Sequence, residues 1–191
     1  MKIIGITGSI ASGKSFVLEQ LKKKYKTFSA DEIVKKIYKN DLFIKKKIYD
    51  LFPKKLHSNS IKFLITNEIL KNYSFLQKIE KIIHPKIRIE IINFINKNKK
   101  KEIIFLDIPL LIENKLNKFF YKIILIKCNK SLRKKRFIKK GGKGNLFDYF
   151  NSKQLTLKKK KQYADFIIDN SDDKNLTKKQ LKKIIIKILN D

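Results

Sequence analysis

The residues with the clearest chemical purpose are Gly8-Ser9-Ile10-Ala11-Ser12-Gly13-Lys14-Ser15, which complete the spacing G-x-x-x-x-G-K-[ST]. The glycines allow backbone conformations and close approaches that a Cβ would block. Successive N–H groups can then form an anion nest at a helix N-terminus, where the dipole favours phosphate. In such a loop Lys14 brings a point charge to the β- and γ-phosphates of a nucleotide, and the Ser15 hydroxyl a ligand for Mg²⁺. The chemistry indicated is phosphoryl transfer from ATP, with an idle glycine turn as the bland alternative.

Phosphoryl transfer to a hydroxyl also needs a carboxylate to position the acceptor or take its proton. Asp31 follows the short strand read at Tyr25 to Ser29 and would lie at the carboxyl edge of a sheet; it also stands where a helix N-cap belongs. Asp107 ends the apolar run Glu102 to Ile108, as a Walker-B carboxylate does, and could hold Mg²⁺ directly or through water. Glu113 is a weaker candidate six residues further on.

The elements that must position these groups alternate. Short, mostly apolar runs at 2–7, 102–108, 122–128 and 166–168 predict buried parallel strands, and 25–29 reads as a further short strand. Helical patterns fall at about 14–24, 31–38, 131–139, 147–163 and 177–189. The expected fold is a doubly wound parallel α/β sheet of the P-loop type. Residues 41–99 contain no glycine and read as wholly helical, with breaks near Pro53, Ser58–Ser60 and Ser74, and with Pro85 ending or kinking a helix at His84. The expected division is a core of residues 1–38 and 100–191 around a helical insertion of 39–99. The six glycines form two clusters, and Gly141-Gly142-Lys143-Gly144 could hinge a lid spanning about 137–160, or make an ordinary turn.

The formal net charge is +30, yet only three of 47 basic residues are arginine and the lysines spread along the whole chain. Base-reading surfaces favour arginine, so the charge reads as compositional drift joined to anionic small substrates rather than nucleic-acid binding. Lys130–Lys161 carries +12 over 32 residues, where the chain average gives about +5. That excess fits a polyanionic substrate or a solvated lysine face. No stretch approaches the ~20 apolar residues of a membrane span. The N-terminal apolar run is broken by Gly5, Thr7 and Gly8, against a signal peptide. The single Cys128 suits a cytoplasmic setting and a small strand-end residue.

Taken in order, these residues resemble one family, dephospho-coenzyme A kinase. The resemblance rests on Ile6-Thr7-Gly8 through Ser15, Ser29-Ala30-Asp31, Ile83-His84-Pro85 and Leu106-Asp107-Ile108-Pro109-Leu110-Leu111-Ile112-Glu113. Arg136, Lys140, Gln154 and Ala164 through Asn170 continue it. It implies transfer of phosphate from Mg-ATP to the ribose 3′-hydroxyl of dephospho-coenzyme A, a helical domain contributing to the acceptor site, and a basic lid. It implies Asp31 as general base, Arg136 as a phosphate-gripping lid residue, His84, Lys140 and Asp107 near the acceptor, and Asn170 beside the nucleotide. His84 capping a helix before a proline break is the structural alternative. Two departures stand out: Ser29 replaces the first carboxylate of the family's usual Asp-Ala-Asp, and Lys140 replaces a second lid arginine and loses its bidentate fork. Lys160 stands at another basic position of the family pattern.

The expectation is therefore a cytoplasmic kinase using ATP and Mg²⁺, without nucleic-acid or membrane partners, as a monomer or weak homo-oligomer. Another P-loop nucleoside or nucleotide kinase and a nucleic-acid-stimulated NTPase are the rivals. A GTPase switch would need Asn-Lys-x-Asp, and Asn129-Lys130-Ser131-Leu132 lacks the aspartate.

Overall fold

Isoleucine-rich runs build the sheet, because β-branched side chains pack well on a pleated surface covered on both faces. The computed structural model describes residues 1–52, 61–108 and 110–191. The breaks expected at Pro53 and Ser58–Ser60, and Pro109, lie outside the described residues. Strands β1 (Lys2–Gly8), β2 (Lys26–Ser29), β3 (Ile103–Asp107), β4 (Lys122–Lys127) and β5 (Phe166–Asp169) lie in the order β2-β3-β1-β4-β5. β1 pairs in parallel with β3 and β4, and β4 with β5. The register sets Ile6 opposite both Asp107 and Ile124. Connections leave β1 in one direction and β3 and β4 in the other, so the carboxyl edge beside β1 is a topological switch point, where α/β proteins bind ligands.

The helices are α1 (Lys14–Lys22), α2 (Ala30–Asn40), α3 (Leu42–Tyr49), α4 (Ile61–Lys71), α5 (Phe75–Lys97), α6 (Lys130–Lys139), α7 (Gly144–Ser152), α8 (Leu157–Lys161) and α9 (Lys174–Asn190). The single helix expected over 147–163 is two, because Thr156 takes an extended conformation and its hydroxyl accepts from Lys159 N at 3.3 Å, starting α8 afresh.

The chain forms two compact units, residues 1–28 with 98–191, and residues 29–97. In the first, Ile4, Ile6, Phe105, Ile124, Ile126 and Ile168 of the sheet pack with Val17, Leu18 and Leu21 of α1 and four apolar residues of α9. Each such side chain contributes about 1.5–3 kcal/mol when fully buried. On β1 a Cβ at Gly5 would sit 2.9 Å from Leu111 Cδ1 and 3.0 Å from Phe120 Cδ1. The loop after β3 therefore lies directly on the central strand's backbone.

The second unit is helical and begins at Ser29 rather than after residue 38, because α2 packs with α3 and α5. Ile37, Ile48, Leu64, Ile69, Ile79 and Ile83 are among its core residues, and the Phe52 and Phe75 rings meet with centroids 5.2 Å apart. Pro85 does not end the helix there, since α5 runs 23 residues through it. An internal proline removes one amide and costs about 3 kcal/mol. Buried Phe75, Ile79 and Ile83 anchor the helix N-terminal to it and offset that cost.

Candidate active site

β1 ends at Gly8 and α1 begins at Lys14, so five residues make the whole phosphate loop. The loop turns through two left-handed residues, Ala11 at φ 57° and Gly13 at φ 94°. A Cβ at Gly8 would fall 2.6 Å from Ile126 O and 2.6 Å from Ser12 Oγ, so this glycine is required by close approach. Gly13 is the N-cap of α1 and offers no side chain to the first-turn N–H groups, and that turn holds no acidic residue. Lys14 Nζ lies 3.3 Å from Gly8 O, folded over the loop it would serve. Ser12 is 1% exposed and its Oγ has no hydrogen-bond partner among the described residues. An uncapped helix start, an orphaned buried hydroxyl and a lysine over the loop fit a bound phosphate group.

The loop is gripped from outside. Asn170, 3% exposed, donates through Nδ2 to Ser12 O at 2.8 Å and accepts through Oδ1 from Thr177 at 3.0 Å. Arg136 donates to Asn170 O at 3.1 Å and to Cys128 Sγ at 3.3 Å, and its Nη1 would lie 3.5 Å from a Cβ at Gly13. Arg136 therefore stands against the phosphate loop. Ile10 is held on both sides: its N–H donates to Gln154 Oε1 at 2.9 Å, and its carbonyl accepts from Arg133 Nη1 at 3.3 Å.

Among the carboxylates, Asp107 is 2% exposed at the end of β3. Glu113 Oε1 accepts from Lys160 Nζ at 2.9 Å and Leu155 N at 3.0 Å. That bonding makes Glu113 a brace for the segment between α7 and α8 rather than a free site carboxylate, and its Oε2 is buried without a partner among the described residues. Lys160 is 1% exposed. Burial pushes its pKa down, Glu113's hydrogen bond and charge pull it back up, Lys14 and Arg133 repel the proton, and the net direction is down.

Asp31 belongs to the second unit and is not the N-cap. Ser29 fills that position, its Oγ accepting from Glu32 N at 3.4 Å. Asp31 occupies the first turn of α2, exposed, where a negative charge suits the helix dipole. His84 is exposed within α5, so it does not cap a helix before Pro85. Lys140 is the exposed C-cap of α6. Gly141 follows at φ 83°, with its N–H bonded to Ile138 O and that of Gly142 to Phe137 O, a Schellman ending. A Cβ on Gly142 would run into the Phe137 ring. Gly144 opens α7.

Sequence reasoning assigned no role to Arg133 or Gln154 at the loop. The available signal was that Arg133 is one of three arginines among 47 basic residues. It also missed a cleft of about 330 Å³ in the second unit, lined by Tyr38, Tyr49 and four lysines, Lys35, Lys39, Lys45 and Lys62. Burial lifts the Tyr38 hydroxyl to about 12. Four lysines without a lining carboxylate make that cleft suited to an anion. Among the described residues no group of three or more His, Cys, Asp or Glu could hold a metal, and no helix is long and apolar enough to cross a membrane.

Comparison with known proteins agrees over nearly the whole chain. The dephospho-CoA kinase family model matches residues 2–175. The dephospho-CoA kinase of Bartonella quintana is 37% identical over 194 residues, covering 99% of each chain, and that of Rickettsia typhi is 35% identical over 187, covering 97% of this chain and 96% of the relative. The solved dephospho-CoA kinase from Campylobacter jejuni superposes with a TM-score of 0.67 at 29% identity, covering 98% of both chains. A phosphate loop at the switch point of a parallel sheet, matched end to end by these relatives, makes this chain a kinase of the dephospho-CoA kinase family.

Proposed function

We propose that this chain transfers the γ-phosphoryl group of ATP to the ribose 3′-hydroxyl of dephospho-coenzyme A, releasing ADP and coenzyme A, in the last step of coenzyme A synthesis. The observation that carries the reading is the phosphate loop, with its uncapped helix start, the orphaned Ser12 hydroxyl and Arg136 against Gly13. Family membership supplies the acceptor.

In this reading the backbone N–H groups of Ala11, Gly13, Lys14 and Ser15 cradle the phosphates, and Lys14 and Arg136 stabilise charge as it spreads over the transferring group. Asp31 takes the 3′-hydroxyl proton as that oxygen bonds to the γ-phosphorus and the bond to the β–γ bridging oxygen breaks. Ser15 and Asp107 would hold Mg²⁺, which neutralises phosphate charge when bound; two such side chains suffice because this ion takes its other ligands from phosphate and water. Asp107 also borders the acceptor. Asn170 acts on the nucleotide through the loop it braces, since both ends of its amide are engaged within the protein. The helical unit binds the acceptor through His84, and its lysine-lined cleft supports an anionic substrate; Lys140, at the end of α6 in the first unit, also contributes to acceptor binding. Residues 137–160 serve as the lid. The enzyme works in the cytoplasm as a monomer or weak homo-oligomer, without nucleic-acid or membrane partners.

ADP release with Mg-ATP tests the reading, with dephospho-coenzyme A, adenosine, AMP, UMP and RNA as separate additions. Turnover that depends on dephospho-coenzyme A and yields coenzyme A is expected. Turnover with another acceptor alone would replace the substrate, and stimulation by RNA alone would replace the reaction class.

A further inference from the structure

The phosphate loop contains a residue that pays a conformational penalty. Ala11 sits at φ 57°, a left-handed conformation that disfavours a residue with a Cβ and persists only where its surroundings over-determine it. What determines it here is the pair of peptides flanking Ile10. The Ile10 carbonyl accepts from Arg133 Nη1 at 3.3 Å, and the Ile10 N–H donates to Gln154 Oε1 at 2.9 Å.

Peptide planarity gives these two bonds a consequence further along. The chain has no cis peptide among its described residues, so each carbonyl points opposite to the next residue's N–H. With Arg133 drawing the Ile10 carbonyl one way, the Ala11 N–H must point the other way. With Gln154 holding the Ile10 N–H, the Ser9 carbonyl turns opposite, and it accepts from Ser12 N at 3.0 Å across the loop. Asn170 applies the same device one turn later: it holds the Ser12 carbonyl and so directs the Gly13 N–H.

Neither grip is loose. Arg133 is 7% exposed, and its fork also reaches Cys128 O at 3.2 Å through Nε and Asn151 Oδ1 at 2.9 Å through Nη1. The segment carrying Gln154 is anchored one residue on, where Leu155 N donates to Glu113 beside the buried Lys160.

We propose that Arg133 and Gln154 are positioning residues that orient the two peptides flanking Ile10, Gln154 the Ser9–Ile10 peptide and Arg133 the Ile10–Ala11 peptide, so that α6 and the α7–α8 turn set the loop's affinity for nucleotide phosphates. The inference rests on the phosphate loop binding ATP, as in the proposed function, but it does not depend on the acceptor.

The test is calorimetric titration of the full chain with ADP, together with KM for ATP and for dephospho-coenzyme A. Gln154→Leu and Arg133→Met are each expected to weaken ADP binding about three- to tenfold, the loss of one hydrogen bond that fixes a donor. KM for dephospho-coenzyme A should stay within about twofold of the wild type, and the double variant should lose less than the product of the single effects, because both hold the main chain of the same residue, Ile10. Arg133→Lys, which keeps a cationic donor, should recover part of the loss. Half-buried Gln154 carries the test alone if Arg133→Met does not fold. Unchanged ADP affinity in Gln154→Leu, or equal losses for ADP and acceptor, would overturn the proposal. A wild-type chain that binds ADP but leaves dephospho-coenzyme A unphosphorylated would remove the proposed function and leave the positioning role measurable; a wild-type chain that binds no ADP removes both.

Discussion

Replacing Glu113 by glutamine should reveal the electrostatic brace behind the phosphate loop. The change keeps an oxygen for Leu155 N but removes the charge that faces Lys160 at 2.9 Å, and that ammonium is 1% exposed. Breaking a buried pair while leaving one charge in place costs about 3–5 kcal/mol. We expect the low end, about 3 kcal/mol, because the glutamine oxygen remains; for a chain of this size that is a fall in Tm of about 6–12 °C. The sign of the pH dependence follows from Lys160. Its folded-state pKa is already below the unfolded value, so its charge disfavours the folded chain at neutral pH and the penalty fades as pH rises through the folded pKa toward ~10.4. Removing Glu113 deletes the hydrogen bond and charge that pull this pKa up, so the deficit against wild type should be largest near neutrality and narrow toward pH ~10. Replacing both partners together, as in Glu113→Leu with Lys160→Met, should restore most of the stability and abolish that pH dependence. Thermal melts followed by circular dichroism between pH ~7 and ~10 measure it. A Glu113→Gln protein as stable as wild type, or a deficit that does not change with pH, would refute the reasoning.

Lys14→Ala should abolish turnover with an unchanged melting temperature. Asp31→Asn should lower kcat by about 10²–10⁴ with only the small fall in Tm expected from losing a helix-dipole charge, whereas Ser29→Ala should cost about 1 kcal/mol of stability and leave kcat intact; near-wild-type kcat in purified Asp31→Asn removes the base assignment. Gly13→Ala faces left-handed strain and a collision with Asn170, about 2–3 kcal/mol together with lost nucleotide binding, whereas Gly141→Ala meets open space and should cost only the ~1 kcal/mol of strain. Burial pushes the Asp169 carboxyl up, but hydrogen bonds from Lys127 and Ser171 outweigh it and hold the pKa below the usual range. Its contribution is therefore present above ~3.9 and lost as pH falls through the lower folded value, so Asp169→Asn should be less stable at pH ~7 and converge with wild type once pH lies below that folded value.

The sheet was legible because β1, β3, β4 and β5 are mostly apolar runs joined by helical periods, while β2, Lys-Thr-Phe-Ser, was placed by its position between two helical patterns. The phosphate loop was legible because its spacing is a backbone requirement written in residue types. Pro85 misled, because the rule for proline is local and the buried residues that hold α5 together are not. Asp31 was placed at the cap because aspartate and serine compete for that position on similar terms, and only the Ser29 Oγ–Glu32 N bond decides it. Arg133 and Gln154 were hidden because their partner is a main-chain peptide more than 120 and 140 residues away, which leaves no spacing to read. Even so, an arginine kept where lysine dominates marks a demand for a planar fork, and Arg133 uses its fork on three acceptors.

The strand order also dictates how this chain can come into being. β1 pairs with β3 and β4, whose first residues lie about 100 and 120 positions downstream, and the helical unit is spliced between them. During synthesis the central strand has no partner until Ile103–Asp107 is made, while residues 29–97 can already collect their own contacts. The helical unit is thus poised to fold first, and the late closure of a long loop onto β1 sets the pace of the rest. Until that closure, the apolar face of residues 2–8 is a liability that the cell must shelter.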